Sequence, residues 1–443
     1  MSAIRSNSDR RSSVAGVGGF PPAQIKSRQM LKLCHAGSAI VTFSVVFLLS
    51  LTALAGSNPE TESPTQTRQQ RKAEAKRKAG GGDRQALAEP GVASTSRLAL
   101  PFKRAWQYLT DEASTLAPSI DDARIYMPLA GGRVVCLDRE TGSLHWTSEP
   151  GGIISAPVAV GDNWVYIATR KLADDGSEAG GSLRAVDKAT GLTRWVKDYD
   201  RPLVSPLEVT STRIYAGSAD GSFYALQAGS GDEIWKVETQ GIVRSRALVT
   251  DHAIYFGGDD GALRAVEPVK GEIIWKHQAS GKIVGRPAID ERSVYFGGGD
   301  GYLYSVDVLT GRLRWRSRTG AAIEAAPVLV GERVLIASFD NFVYALSRST
   351  GDRIWKRRLE NRITSALIVE GDACLVAPLR ADYVAVLLNS DGRRVNLYKL
   401  EKEFEIVADP VYSGDTLVLA TSNGLVVAKA TRSGENPASV VKK

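Results

Sequence analysis

The 443-residue chain is long enough for two or three average domains and carries a formal net charge of +7, from 56 Lys and Arg against 49 Asp and Glu. That excess sits at one end: residues 1–97 hold 14 basic and 6 acidic side chains, so they stand at +8 and the rest of the chain at −1. The folded part is therefore close to neutral, which excludes a basic nucleic-acid-binding domain and leaves nucleic acid out of its partners.

Residues 1–35 contain six basic side chains and one acidic. They read as a basic cytoplasmic arm, or as sequence ahead of the true start if translation begins at Met30. Residues 36–56 come next, with 21 positions and no charge, enough to cross a bilayer at about 20 residues per crossing. The basic arm holds the N-terminus in the cytoplasm and sends the remainder outward. The apolar run ends in Ala53-Leu54-Ala55, the small-residue pattern of a cleavage site. It is read as a signal peptide cleaved after Ala55 or as an apolar helix anchored in the inner membrane; both readings export the rest of the chain to the periplasmic side. Residues 57–97 are rich in Pro, Gln, Ala, Gly and charge, with a basic run from Arg68 to Lys78. They read as a disordered basic linker, or functionally as a patch drawn to anionic lipid headgroups. Either way the membrane contact expected of the chain lies in its N-terminal segment.

From residue 98 to 432 one phrase recurs. A Gly four residues before a Trp marks Gly142 and Trp146, Gly191 and Trp195, Gly231 and Trp235, Gly271 and Trp275, Gly311 and Trp315, and Gly351 and Trp355; the last five Trp are spaced by 40 residues. A fixed period of this size is the mark of a stacked repeat architecture. Within each period four short runs of β-branched and aromatic residues alternate with Gly, Asp and Pro turns, which predicts a four-stranded antiparallel meander and hence a propeller blade. The one longer gap, between Trp146 and Trp195, holds the polar, glycine-rich insert 170–180, read as an elongated hairpin. A seventh unit runs to Asn396 with its turn glycine, Gly392, but without the Trp. An eighth begins near Glu405 and stops before a fourth strand. Trp106, 40 residues ahead of Trp146, ends a segment with no strands before it, so this N-terminal strand is expected to complete the last blade and close the ring. The expectation is an all-β, eight-bladed propeller, with seven blades as the alternative if the two degenerate units merge, and a disordered tail over 433–443.

The string from Tyr295 through Asp300-Gly301, Asp307 and Thr310-Gly311 to Trp315 resembles the pyrroloquinoline quinone-type propeller repeat. WD-type repeats are excluded because no Trp is followed by Asp. In the family it resembles, the Trp docks between neighbouring blades, which implies structural docking roles for Trp106, Trp146, Trp195, Trp235, Trp275, Trp315 and Trp355; a flat aromatic of large buried area suits that place. Trp164 lies outside the phrase. Two functions compete within the family. The quinoprotein dehydrogenases hold the quinone and a calcium ion on the ring axis, are longer chains, and in many cases carry an adjacent Cys pair. The other class is non-enzymatic and includes assembly factor B, a scaffold of the outer-membrane β-barrel assembly machinery. Cys34, Cys136 and Cys374 are not adjacent, and the compact blades leave little sequence for loops around a cofactor. The resemblance therefore implies an exported scaffold with protein partners in the envelope and no cofactor, with a small quinone- or ligand-binding propeller, enzyme or sensor, as the alternative. The scaffold lipoprotein is lipidated on a Cys just after its signal sequence, whereas Cys34 here precedes the apolar stretch.

No residue set announces catalysis. His35, His145, His252 and His277 show no metal spacing, and no nucleophile elbow, phosphate-binding loop or zinc-protease motif occurs. Cys136 and Cys374 fall in blades that are not ring neighbours, so buried thiols are expected rather than a disulfide. The Asp-Gly pairs at 220–221, 260–261 and 300–301 recur with the repeat and read as turns, not calcium ligands. One departure stands out. The inner strands should line the channel with small residues such as Ser155, Ser205, Ala326 and Ala366, yet two neighbouring blades place Arg244, Arg246 and Arg286 there, with Glu324 on the next blade and Asp409 on the eighth. These arginines either pair with those two carboxylates or form a charged mouth for an acidic segment of a partner.

Overall fold

A computed structural model describes Ser94, residues 96–112 and residues 115–431. The readings of the basic arm, of residues 36–56, of the linker up to residue 93 and of the 433–443 tail lie outside those residues. Among the described residues no helix is long and apolar enough to cross a membrane.

Blade 4 shows how the sequence makes its unit. Strands Leu248–Val249, Ile254–Phe256, Ala262–Val266 and Ile273–Gln278 pair in that order, all antiparallel, with Tyr255 opposite Ala265 and Ala265 opposite Trp275. Each turn is closed by a side-chain acceptor: Thr250 takes the Ala253 N–H, Asp260 the Ala262 N–H, and Glu267 the N–H groups of Val269 and Lys270. The recurrent Asp-Gly pairs are thus turn residues; in blades 3 and 5 Asp220 and Asp300 also accept from the Tyr224 and Tyr304 hydroxyls. The middle strands are buried on both faces because the core lies between sheets, not within one. Phe223 of blade 3 stacks on Phe256 of blade 4 with ring centroids 3.9 Å apart.

Eight such sheets form the ring. Blades 1 to 7 cover residues 119–148, 153–199, 208–238, 248–278, 288–318, 328–358 and 368–399. Blade 8 takes Val411–Ser413, Thr416–Thr421 and Gly424–Ala430 from one end of the chain and Phe102–Leu109 from the other, with Phe102 opposite Ala430 and Trp106 opposite Val427. The N-terminal strand therefore closes the ring, and the seven-blade alternative is excluded because 368–399 and 411–430 belong to separate sheets. The strand Phe102–Leu109 covers Gly424–Ala430, whose backbone would otherwise be a sheet edge open to another chain. In blade 2 the insert lengthens a hairpin, Trp164–Leu172 against Glu178–Asp187, and Ile153–Ile154 pairs with its extension as a fifth strand.

The seven repeat tryptophans sit at the seams. Each donates its indole N–H to a backbone carbonyl of the next blade at 2.9–3.3 Å, from Trp106 on Arg139 to Trp355 on Asn389. The indole then covers the glycine three residues further on. A Cβ added at Gly311 would stand 2.6 Å from the Trp275 ring, and Gly311 has φ of +67°, so clash and backbone both demand glycine. The seam from blade 7 to blade 8 is built differently. Blade 8 has no turn between its third and outer strands, since these come from opposite ends of the chain. Asn396 replaces the Trp and donates to the carbonyls of Leu98 and Leu100 at 3.1 and 2.6 Å. Leu98, fully buried, joins the hydrophobic cluster of blades 7 and 8.

Candidate functional site

Every inner strand enters the channel through the segment that precedes it. Matching the registers of the eight sheets aligns Ala117, Pro157, Pro206, Arg246, Arg286, Ala326, Ala366 and Asp409 as one tier around the axis. Five of these are small or cyclic. Between tiers, hydroxyls and glycines knit the inner wall: Ser245 donates to the Gly285 carbonyl at 3.1 Å, and a Cβ on Gly285 would stand 2.8 Å from the Glu324 carbonyl.

Arg244, Arg246, Arg286, Glu324 and Asp409 all line one axial cavity of about 790 Å³. The structure brings the five together, but the expected pairing of the arginines with Glu324 and Asp409 does not occur. Arg246 and Arg286 share Glu208, at 2.6 and 3.4 Å, and Arg286 also donates to the Ala247 carbonyl at 3.2 Å. Arg244 pairs with Asp259 at 3.1 Å, and Glu324 is taken by Lys282 at 2.7 Å. Two causes differ: blade 8 lies across the axis from blade 4, which takes Asp409 out of reach of Arg246, and Glu324, one blade from Arg286, is already held by Lys282. Burial pulls the Arg286 guanidinium down from its usual value, opposed by Glu208 and reinforced by Arg246. Asp409 meets no cation among the described residues. Its tier neighbours on blades 7 and 1 are Ala366 and Ala117, and although its side chain touches channel water, the surrounding wall pushes its carboxyl up to about 6.

Sequence reasoning missed Glu208, Asp259 and Lys282. Glu208 was findable: it holds the position filled by Leu248, Ala288, Val328, Ile368 and Val411 in other blades. Asp259 and Lys282 carry no such signal, because loop positions vary in every repeat.

Beside the channel mouth lies a groove of about 360 Å³ under the long hairpin of blade 2. Leu116, Leu129, Ile153 and Ile154 supply its apolar lining, Arg170 and Glu178 come from the hairpin, and Arg244 borders both groove and channel. On the opposite face a cavity of about 530 Å³ at blades 1 and 2 is lined by turn residues; its Asp121 is already held by Lys188, Tyr126 and two backbone N–H groups. Cys136 and Cys374 are free and buried, and burial pushes both thiols up to about 12. Among the described residues no group of three His, Cys, Asp or Glu is placed to hold a metal ion.

Fold, repeat and axial channel define an eight-bladed propeller of the pyrroloquinoline quinone type. The sequence model described as outer membrane protein assembly factor BamB matches residues 103–216, 179–395 and 299–439, and the chain belongs to that family. Among solved structures, BamB from Moraxella catarrhalis matches at a TM-score of 0.63 with 20% identity, over 76% of this chain and 99% of that one. The computationally designed Ika8 protein matches at 0.62 and 16% identity, over 73% and 98%. The quinohemoprotein alcohol dehydrogenase of Comamonas testosteroni matches at 0.61 and 12% identity, over 78% and 79%. At these identities the likeness is one of fold. A curated relative, the quinoprotein ethanol dehydrogenase of Pseudomonas putida, is 38% identical over 60 residues, which are 13% of this chain and 10% of that enzyme. The chain thus matches about a tenth of that enzyme's length.

A quinone with calcium on the axis would need free cations for its carboxylates and several free oxygen ligands for the metal. The three channel arginines are engaged by Glu208 and Asp259, and Glu324 is engaged by Lys282. Of the two channel carboxylates singled out in the sequence, Glu324 and Asp409, Asp409 alone is left without a cation among the described residues. These residues do not fit that pair.

Proposed function

We propose that this chain is a non-enzymatic scaffold of the cell envelope, exported to the periplasmic side, that holds protein partners on the face bearing the channel mouth. The observation that carries this reading is the groove under the blade 2 hairpin. It lies where the blade pattern is extended by a fifth strand, it is apolar at its base, and it opens beside Arg244. An extended partner segment would lay aliphatic side chains against Leu116 and Ile153 and an acidic residue near Arg244, where charge sets register more than affinity. Arg246, Arg286, Glu324 and Asp409 would be met only by a segment reaching into the channel. Membership of the assembly-factor family supports an envelope setting.

The competing reading, a quinone- or ligand-binding propeller, draws on the 60-residue likeness to a dehydrogenase and on the unpaired Asp409. The two part in one experiment. Purified full-length protein is incubated with pyrroloquinoline quinone and calcium, while a photo-crosslinker at Leu172, near the hairpin tip, is activated in membranes. The scaffold reading expects no retained chromophore and a discrete crosslinked protein. Stoichiometric uptake with dye reduction, and no crosslink, would overturn it.

A further inference from the structure

The outer strands of the blades differ sharply in charge. Those of blades 2, 3 and 4 (Thr193–Tyr199, Glu233–Glu238 and Ile273–Gln278) carry four basic and three acidic residues in total. Those of blades 5, 6 and 7 (Leu313–Arg318, Arg353–Arg358 and Arg394–Lys399) carry nine basic and none acidic. Of the nine, Arg314 alone forms an ion pair among the described residues, with Asp307 at 2.7 Å. In blades 2–4, by contrast, three of the four cations are paired, Arg194 with Asp187, Lys197 with Asp232 and Lys236 with Glu238. On blades 5–7 the cations are left over.

We infer that the outer wall of blades 5–7 is a docking face for an anionic lipid surface. Three features select lipid headgroups. First, exposed aliphatic side chains are interspersed with the cations: Leu309 is 79% exposed, Leu313 48% and Ile354 47%. Such side chains are suited to the headgroup–acyl boundary, with the guanidinium groups at the phosphates. Second, the aromatic rings on this wall are not free to stack bases. Arg316 and Arg318 lie 4.7 and 5.8 Å over the Tyr302 ring, and Lys356 lies 4.5 Å over Phe342. That arrangement disfavours a single-stranded nucleic acid, which needs open ring faces. Third, the chain enters the ring across blade 7: Ser94 donates to Asp372 at 2.6 Å and the Leu98 N–H to Glu370 at 3.2 Å at its inner strand, and Asn396 of its outer strand then donates to the Leu98 and Leu100 carbonyls. The apolar stretch at 36–56 lies upstream of that point in sequence. The inference does not depend on partner capture at the groove, since the two surfaces share no residue.

The test uses the full chain with Cys34→Ser and a fluorophore on either Leu309→Cys or Leu192→Cys. Leu192 is a 67%-exposed leucine in the corresponding part of blade 2, three blades away. Vesicles carry a quencher in the acyl region and contain either phosphatidylcholine alone or a phosphatidylglycerol mixture. Quenching is expected at 309 and not at 192, with the phosphatidylglycerol vesicles only, and it should fade at high salt. Reversal of Arg316, Arg318, Lys356 and Arg358 to Glu should raise the lipid concentration for half-maximal quenching roughly a hundredfold or more. The same four positions changed to Gln, with the thermal melt recorded, cover a failure of the reversed protein to fold. Equal quenching at both sites, none at either, or quenching that survives both quadruple variants would overturn the assignment. So would a 309 signal that ignores vesicles and responds to an RNA oligonucleotide or an acidic peptide.

Discussion

Inside the ring, Arg246 and Arg286 close on one carboxylate, Glu208, whereas along the outer wall of blades 5–7 Arg316, Arg318 and Arg358 meet none among the described residues. Both regions are rich in arginine, yet the protein treats them in opposite ways. A cation in the narrowed channel loses part of its water and is costly unless a carboxylate repays it. A cation on the outer wall keeps its water, so the fold exerts no demand for a partner there. Internal neutralisation marks a residue that serves the ring; leftover charge marks one available to something else.

That contrast predicts a gradient of effects. The largest comes from an outer-strand residue that is not charged. Trp275→Ala removes an indole that is 7% exposed and bonded to Val308, and should cost about 3–5 kcal/mol in a denaturant melt. Trp164→Ala, outside the seams, should cost clearly less; equal losses would remove the special role of the seam tryptophans. Next comes Glu208→Gln, which strands two guanidinium groups side by side. Because both are partly hydrated, the expected loss is about 1–2 kcal/mol. Asp409→Asn differs in kind, and its signature is a pH window. Burial raises the Asp409 carboxyl to about 6 in the folded ring, from 3.8 in the unfolded chain, so the native state binds that proton more tightly. The stabilisation is complete below the unfolded value and is lost as pH rises through 6. The variant should therefore gain on wild type between about pH 4 and 6, with a constant difference above. A flat difference across that range would show that channel water solvates Asp409 fully.

How much of this was legible depends on whether the repeat carried it. Blade count and the closing strand were, because Trp106 keeps the 40-residue phase although its blade lies at the other end of the chain. The missing Trp at Asn396 was visible but not its cause: a blade closed by two chain ends has no turn glycine for an indole to cover. Arg244, Arg246 and Arg286 were visible as departures from small channel residues, and so was Glu208 to a reader comparing blades position by position. Their pairing was not, since which carboxylate an arginine reaches is set by ring closure, and Asp409 ends up across the axis. The outer-wall excess was hidden in the total: beyond residue 97 the chain sums to −1, and only the ring separates the blades that supply the cations.

The account turns on paired charge inside and unpaired charge outside, and one side-by-side thermal melt tests it. Arg244, Arg246 and Arg286 are reversed to Glu in one full-length protein, and Arg316, Arg318, Lys356 and Arg358 in another. The channel variant sets new carboxylates against Glu208 and Asp259 and should melt well below wild type; the wall variant should melt within about 1 kcal/mol of it. A channel variant as stable as wild type, or a wall variant that loses its melt, would contradict the account.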